Sequence, residues 1–117
     1  MIDRRPVFLA LSLALLMGLA LPEIAAAEEA HEVRITIRNH RFEPAKIEVP
    51  AGREIKLIVT NADDTPEELE SVGLRIERVI QGGKTAEFTV RSLRKNRTYK
   101  FFGEFHEETA KGELVVK

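Results

Sequence analysis

The chain has 117 residues, 44% of them hydrophobic and 32% charged, with a formal net charge of −1. That is room for one domain, with neither the basic surplus of a nucleic-acid binder nor a polyacidic signature. There is no cysteine, which excludes disulfides, thiolate nucleophiles and thiolate–metal bonds.

Arg4 and Arg5 make a basic start, residues 6–21 ("PVFLALSLALLMGLAL") form an apolar run, and Ala25 to Ala27 offer a small-residue cleavage site. This pattern predicts a secretory signal peptide over residues 1–27, and with it a periplasmic protein. The run falls short of the roughly 20 residues that span a bilayer, so no membrane span is expected in the mature protein. No cysteine follows the run, which argues against a lipid anchor. Both methionines, Met1 and Met17, lie in this leader. A domain over 28–117 would therefore contain no sulfur.

From residue 31 the pattern is short strands split by turns. "EVRITIR" alternates, with Val33, Ile35 and Ile37 on one side and Arg34, Thr36 and Arg38 on the other. "AKIEVPAG" gives a short strand and a Pro-Ala-Gly turn; "REIKLIVTN" gives a strand with Ile55, Leu57 and Val59 in phase. "NADDTPEE" reads as a polar loop, followed by "LESVGL" and "RIERVI" with Gly73 as a possible kink. "KTAEFTVRS", "RTYKFF" and "GELVVK" complete the set. About seven to eight strands with frequent turns predict an all-β, antiparallel Greek-key β-sandwich. Tyr99, soon after the turn that holds Leu93, is similar to a tyrosine corner.

Three segments carry a resemblance: "FEPAKIEVPAGREIKLIVTN", "DDTPEE" and "TYKFFGEFHEETAKGELVV". In order and spacing they resemble the opening, the first-ligand segment and the last ligand loop of cupredoxin domains. The resemblance implies a cupredoxin-like sandwich with a metal site at one end. Blue-copper members use two His, a Cys and an axial Met. Set on a C-x4-H-x3-M loop, "FFGEFHEETAKG" keeps His106, while Phe101 falls at the thiolate place and Ala110 at the Met place. The upstream histidine place falls at Glu67 or Glu68. The E-x-E step at Glu68 and Glu70 resembles the cupredoxin-like domain of EfeO-type periplasmic proteins, which accompany iron permeases. There those glutamates are metal ligands, and cysteines contribute; the nearest places here hold Phe42 and Phe101 or Phe102.

The candidate metal ligands are therefore Glu68, Glu70 and His106, with Glu67 as the register competitor and Glu104 within reach of His106. Imidazole with carboxylates suits iron or Cu(II) better than Cu(I). Each has a plainer account: a solvated loop histidine, or edge-strand charges against mispairing. His40 is a lesser candidate, and His31 reads as incidental. The arginines of "RIERVI" and "RSLRKNR" read as solvated surface or as a patch for an acidic partner; without interleaved aromatics they do not suggest nucleic acid. No catalytic motif is visible, so the protein is read as a non-enzyme. The function expected is metal binding and hand-over, by resemblance beside a membrane iron permease. The alternatives are a metal-free structural or interaction module, and a redox accessory with non-blue copper.

Overall fold

A computed structural model of the chain describes Gly18 and residues 29–117. The expected leader, residues 1–27, lies outside them apart from Gly18. Among the described residues nine strands form two sheets. They are β1 (His31–Arg38), β2 (Arg41–Glu43), β3 (Lys46–Val49), β4 (Ile55–Asn61), β5 (Glu67–Ser71), β6 (Ile76–Ile80), β7 (Thr85–Val90), β8 (Thr98–Gly103) and β9 (Lys111–Val116). A 3-10 turn, Glu104–His106, follows β8. One sheet runs β2-β1-β4-β7 and the other β3-β9-β8-β5-β6. Among the described residues no helix is long and apolar enough to cross a membrane.

Nine strands exceed the seven or eight expected, because "RFE" is a three-residue strand too short to show a period. The ladders are also mixed. β1 pairs with β4 in parallel, and β3 with β9. The chain leaves β1, crosses to the other sheet through β3, and returns as β4 beside β1 in the same direction. Such a crossover is what a parallel pair requires.

The alternation seen in sequence becomes the core. Val33, Ile35 and Ile37 of β1 and Leu57 and Val59 of β4 are buried against Leu69, Phe101, Leu114 and Val116 of the facing sheet. Phe42 and Phe101 meet edge to face, 5.0 Å between centroids. Gly112 is fixed by this packing, since a Cβ there would lie 2.2 Å from the Phe101 ring. The tyrosine corner is present: the Arg94 N–H donates to Tyr99 Oη at 3.2 Å.

Asn61, at the end of β4, is fully buried. Its Nδ2 donates to the carbonyls of Thr65 and Ile80, each at 2.9 Å, and its Oδ1 accepts the Asp63 N–H at 3.0 Å. A buried amide left unsatisfied would be costly, so these bonds fix loop 62–66 and the entry angle of β5. β5 carries the candidate ligands.

Candidate metal centre

The pleat of β5 separates its glutamates. Glu67, Leu69 and Ser71 face the core, and Glu68 and Glu70 face outward. Glu67 is only 1% exposed. Its Oε1 accepts the N–H groups of Phe105 at 3.0 Å and Glu68 at 3.2 Å, and its Oε2 is bonded to His106 Nδ1. Glu67 thus ties β5 to the 3-10 turn that follows β8.

His106 is half-buried and stacks on His40, centroids 3.5 Å apart and planes at 11°. His40 is held by its backbone, which takes positive φ, as does Asn39. Both N–H groups donate to the Asp63 carboxylate, at 3.0 Å and 2.8 Å. The His40 N–H bond, with help from Asn39 and the two imidazoles, lowers the Asp63 pKa below its ordinary value against a partial burial cost. The His40 carbonyl accepts from Thr109 Oγ1 at 2.6 Å, which fastens this corner to the loop after the 3-10 turn.

On the opposite face of β5, Glu68, Glu70 and Glu104 converge. One carboxylate oxygen from each lies within 4.8 Å of the other two. The Glu68 pKa is pushed up to about 7, first by hydrogen bonding with Glu104, which needs a proton, then by burial and by the charges of Glu104 and Glu77. Glu70 is raised as well, by burial first and then by Glu104, Glu77 and Glu107. Every charge acting on these two groups is negative. Such a cluster is relieved by a proton or by a cation.

The expected ligands are therefore divided between two faces of one strand. Glu68 and Glu70 meet Glu104 rather than His106, and His106 meets Glu67. Sequence reading could not fix the phase of "PEELES", because any of its three glutamates could face inward. His40 does join His106, through ring stacking. His31 lies at the other end of the sandwich, its N–H bonded to the Glu54 carbonyl. Glu107 acts on the cluster through its charge alone.

No sequence pattern marks Gly103 as a site residue. A Cβ on Gly103 would stand 2.6 Å from the Glu67 carboxyl carbon and 2.7 Å from Ala110 Cβ. The position whose side chain would enter the Glu67–His106–Ala110 corner is thus Gly103, in a C-x2-H-x3-M spacing. Phe101, set at the thiolate place by the C-x4-H spacing, is a core residue at 3% exposure. The alternatives lie two positions apart on β8 and both face inward, so periodicity cannot choose between them.

The chain belongs to the cupredoxin-like domain family, whose model matches residues 9–116. It is 41% identical over 85 residues to an uncharacterised protein of Rickettsia prowazekii (strain Madrid E), covering 73% of this chain and 67% of that one. Auracyanin A, a blue copper protein from Chloroflexus aurantiacus, superposes with a TM-score of 0.65 at 14% identity, over 76% of this chain and 100% of its own. The metal-binding domain of a Cu(I)-exporting P-type ATPase from Streptococcus pneumoniae D39, solved with Cu(I), gives a TM-score of 0.64 at 16% identity, over 74% and 84%. At these identities the structures speak for the fold, a Greek-key β-sandwich.

The copper centre of blue members does not fit this corner. The described residues contain no sulfur, and the Glu67 carboxyl, bonded to the one histidine of the loop, fills the space beside Gly103. The donor set that remains is oxygen-rich and suits hard cations.

Proposed function

We propose that this is an exported, non-catalytic metal-binding protein that takes iron or Cu(II) through carboxylates and hands it on in periplasmic metal uptake, beside a membrane iron permease. The observation that carries the metal reading is the convergence of Glu68, Glu70 and Glu104, with Glu68 held near a pKa of 7. A bound cation would replace the proton that this crowding retains. Glu67 fixes the backbones of Glu68 and of the turn that bears Glu104, so the buried pair acts as a positioning device. With its Nδ1 bonded to the Glu67 carboxylate, His106 would ligate directly through Nε2, or through Nδ1 only by giving up that bond. The periplasmic setting and the permease rest on the leader and on the EfeO-type resemblance.

The test is calorimetric titration of the purified protein with Fe(II) under anaerobic conditions, Fe(III)–citrate and Cu(II). Binding should disappear in Glu68→Gln/Glu70→Gln/Glu104→Gln and weaken in the wild type as pH falls through about 7, where Glu68 gains its proton. His106→Ala separates ligation from positioning: a ligand's loss would change the spectrum of bound Cu(II), a positioning residue's loss only the affinity. If the wild type takes up no more metal than the triple variant, the metal reading fails. The metal-free interaction module then stands, favoured by the way Glu67 fills the corner beside Gly103.

A further inference from the structure

The near-neutral total charge conceals a strong asymmetry. The loops at the Glu67 end, 39–40, 44–45, 62–66, 81–84 and 104–110, carry five carboxylate side chains and one lysine. The opposite end, built from 29–30, 50–54, 72–75, 91–97 and Lys117, carries seven cationic side chains and two glutamates. These segments are one surface: the Gly52 N–H donates to the Leu93 carbonyl, the Ala51 N–H to that of Lys117, and a cavity joins Gly73 and Arg75 to Arg91 and Leu93. Arg91 is paired with Glu54 at 2.8 Å. Arg75, Arg94, Lys95 and Arg97 are all exposed, and among the described residues none forms an ion pair.

Two further observations lie at this end. Val72, in the turn between β5 and β6, is the most exposed large hydrophobic of the described residues, at 83%, and lines one cavity with Arg97. An aliphatic side chain that shares cavities with Arg75 and Arg97 suits a headgroup boundary, where the apolar group enters and the charges meet phosphates. The chain also joins the domain here, at Glu29, and only seven residues separate that point from the apolar run 6–21. Seven residues reach at most roughly 25 Å. During export, before the expected cleavage near Ala27, that run would hold this end near the lipid.

We propose that the end formed by Arg75, Arg94, Lys95, Arg97 and Val72 docks on an anionic phospholipid surface, with the Glu68 cluster pointing away from it. Strands of up to eight residues separate the two ends by about 25 Å, which places the carboxylates beyond the Debye length from the lipid charge at physiological salt. The same polarity that attracts one end therefore leaves the other free for a cation and its recipient.

The experiment is co-sedimentation of the exported protein, its N-terminus fixed by mass spectrometry, with phosphatidylglycerol-containing vesicles and with pure phosphatidylcholine vesicles, at low and physiological salt. Binding is expected only to the anionic vesicles and should weaken with salt. Each cation removed is expected to weaken it about fivefold, so Arg75→Ser/Arg94→Ser/Lys95→Ser/Arg97→Ser should lose on the order of a hundredfold or more. Val72→Ser should weaken it severalfold. Arg41→Ser/Lys84→Ser/Lys111→Ser, which removes cations elsewhere on the molecule, should leave it unchanged beyond the small effect of net charge. Circular dichroism confirms that each variant is folded. Equal binding to neutral vesicles, or full retention in the quadruple variant, would overturn the proposal. Binding to polyglutamate without binding to anionic vesicles would overturn it in favour of an acidic protein partner.

Discussion

Glu67 and Glu68 are adjacent in sequence and opposite in circumstance. Glu67 is buried but satisfied, with two amides and an imidazole around its carboxyl. Truncation to alanine leaves those donors without a partner and should cost about 3–5 kcal/mol, whereas Glu67→Gln keeps an acceptor for both amides and should cost nearer ~1 kcal/mol. Urea unfolding of the two variants measures the difference; equal costs would mean that the clamp holds nothing. Glu68 has like charges for neighbours, and its folded pKa is raised from 4.5 to about 7. Between those values the native state binds a proton that the unfolded chain has released, so stability falls as pH rises through the window and levels off above it. Thermal melts across this range should show that decline in the wild type and its loss in Glu68→Gln. The two roles could not be told apart from "PEELES". Alternation says that one glutamate of a pair faces inward; only the buried Asn61 bonds and the register of β5 on β8 say which.

At the scale of elements, the strands were legible wherever apolar residues alternate for several positions. β1, β4 and β7 follow their sequence pattern closely. β2 has three residues, and it appears only because Ile37 and Phe42 pair across a tight turn. The last loop was legible in its histidine but not in its phase, because Phe101 and Gly103 both face inward on β8. Their difference is volume: Phe101 fills the core and requires Gly112 opposite, while Gly103 leaves room for Glu67. Gly112→Ala should therefore destabilise by about 3 kcal/mol, from overpacking against the ring. Adding Phe101→Leu should recover part of that loss. If the double variant is no more stable than Gly112→Ala, the contact that matters is instead the Ala45 carbonyl, 2.9 Å from the same Cβ.

At the scale of the molecule, the fold could be reached from sequence, because strand count, turn spacing and three ordered segments agree on one architecture. The charge polarity could not. "RSLRKNR" and "VGLR" look like scattered surface charge until the sandwich gathers their loops at one end. The corner beside Gly103 has a further consequence, for biogenesis. A domain whose metal closes its core cannot finish folding until the metal arrives, and removing the metal unfolds it. Here the Glu67 carboxyl already closes that corner, bonded within the chain. Closure of this corner thereby needs no ion: the chain can fold without one and, on the function proposed above, would release one without losing its shape. The proposed hand-over of metal, with repeated loading and release, would require that independence.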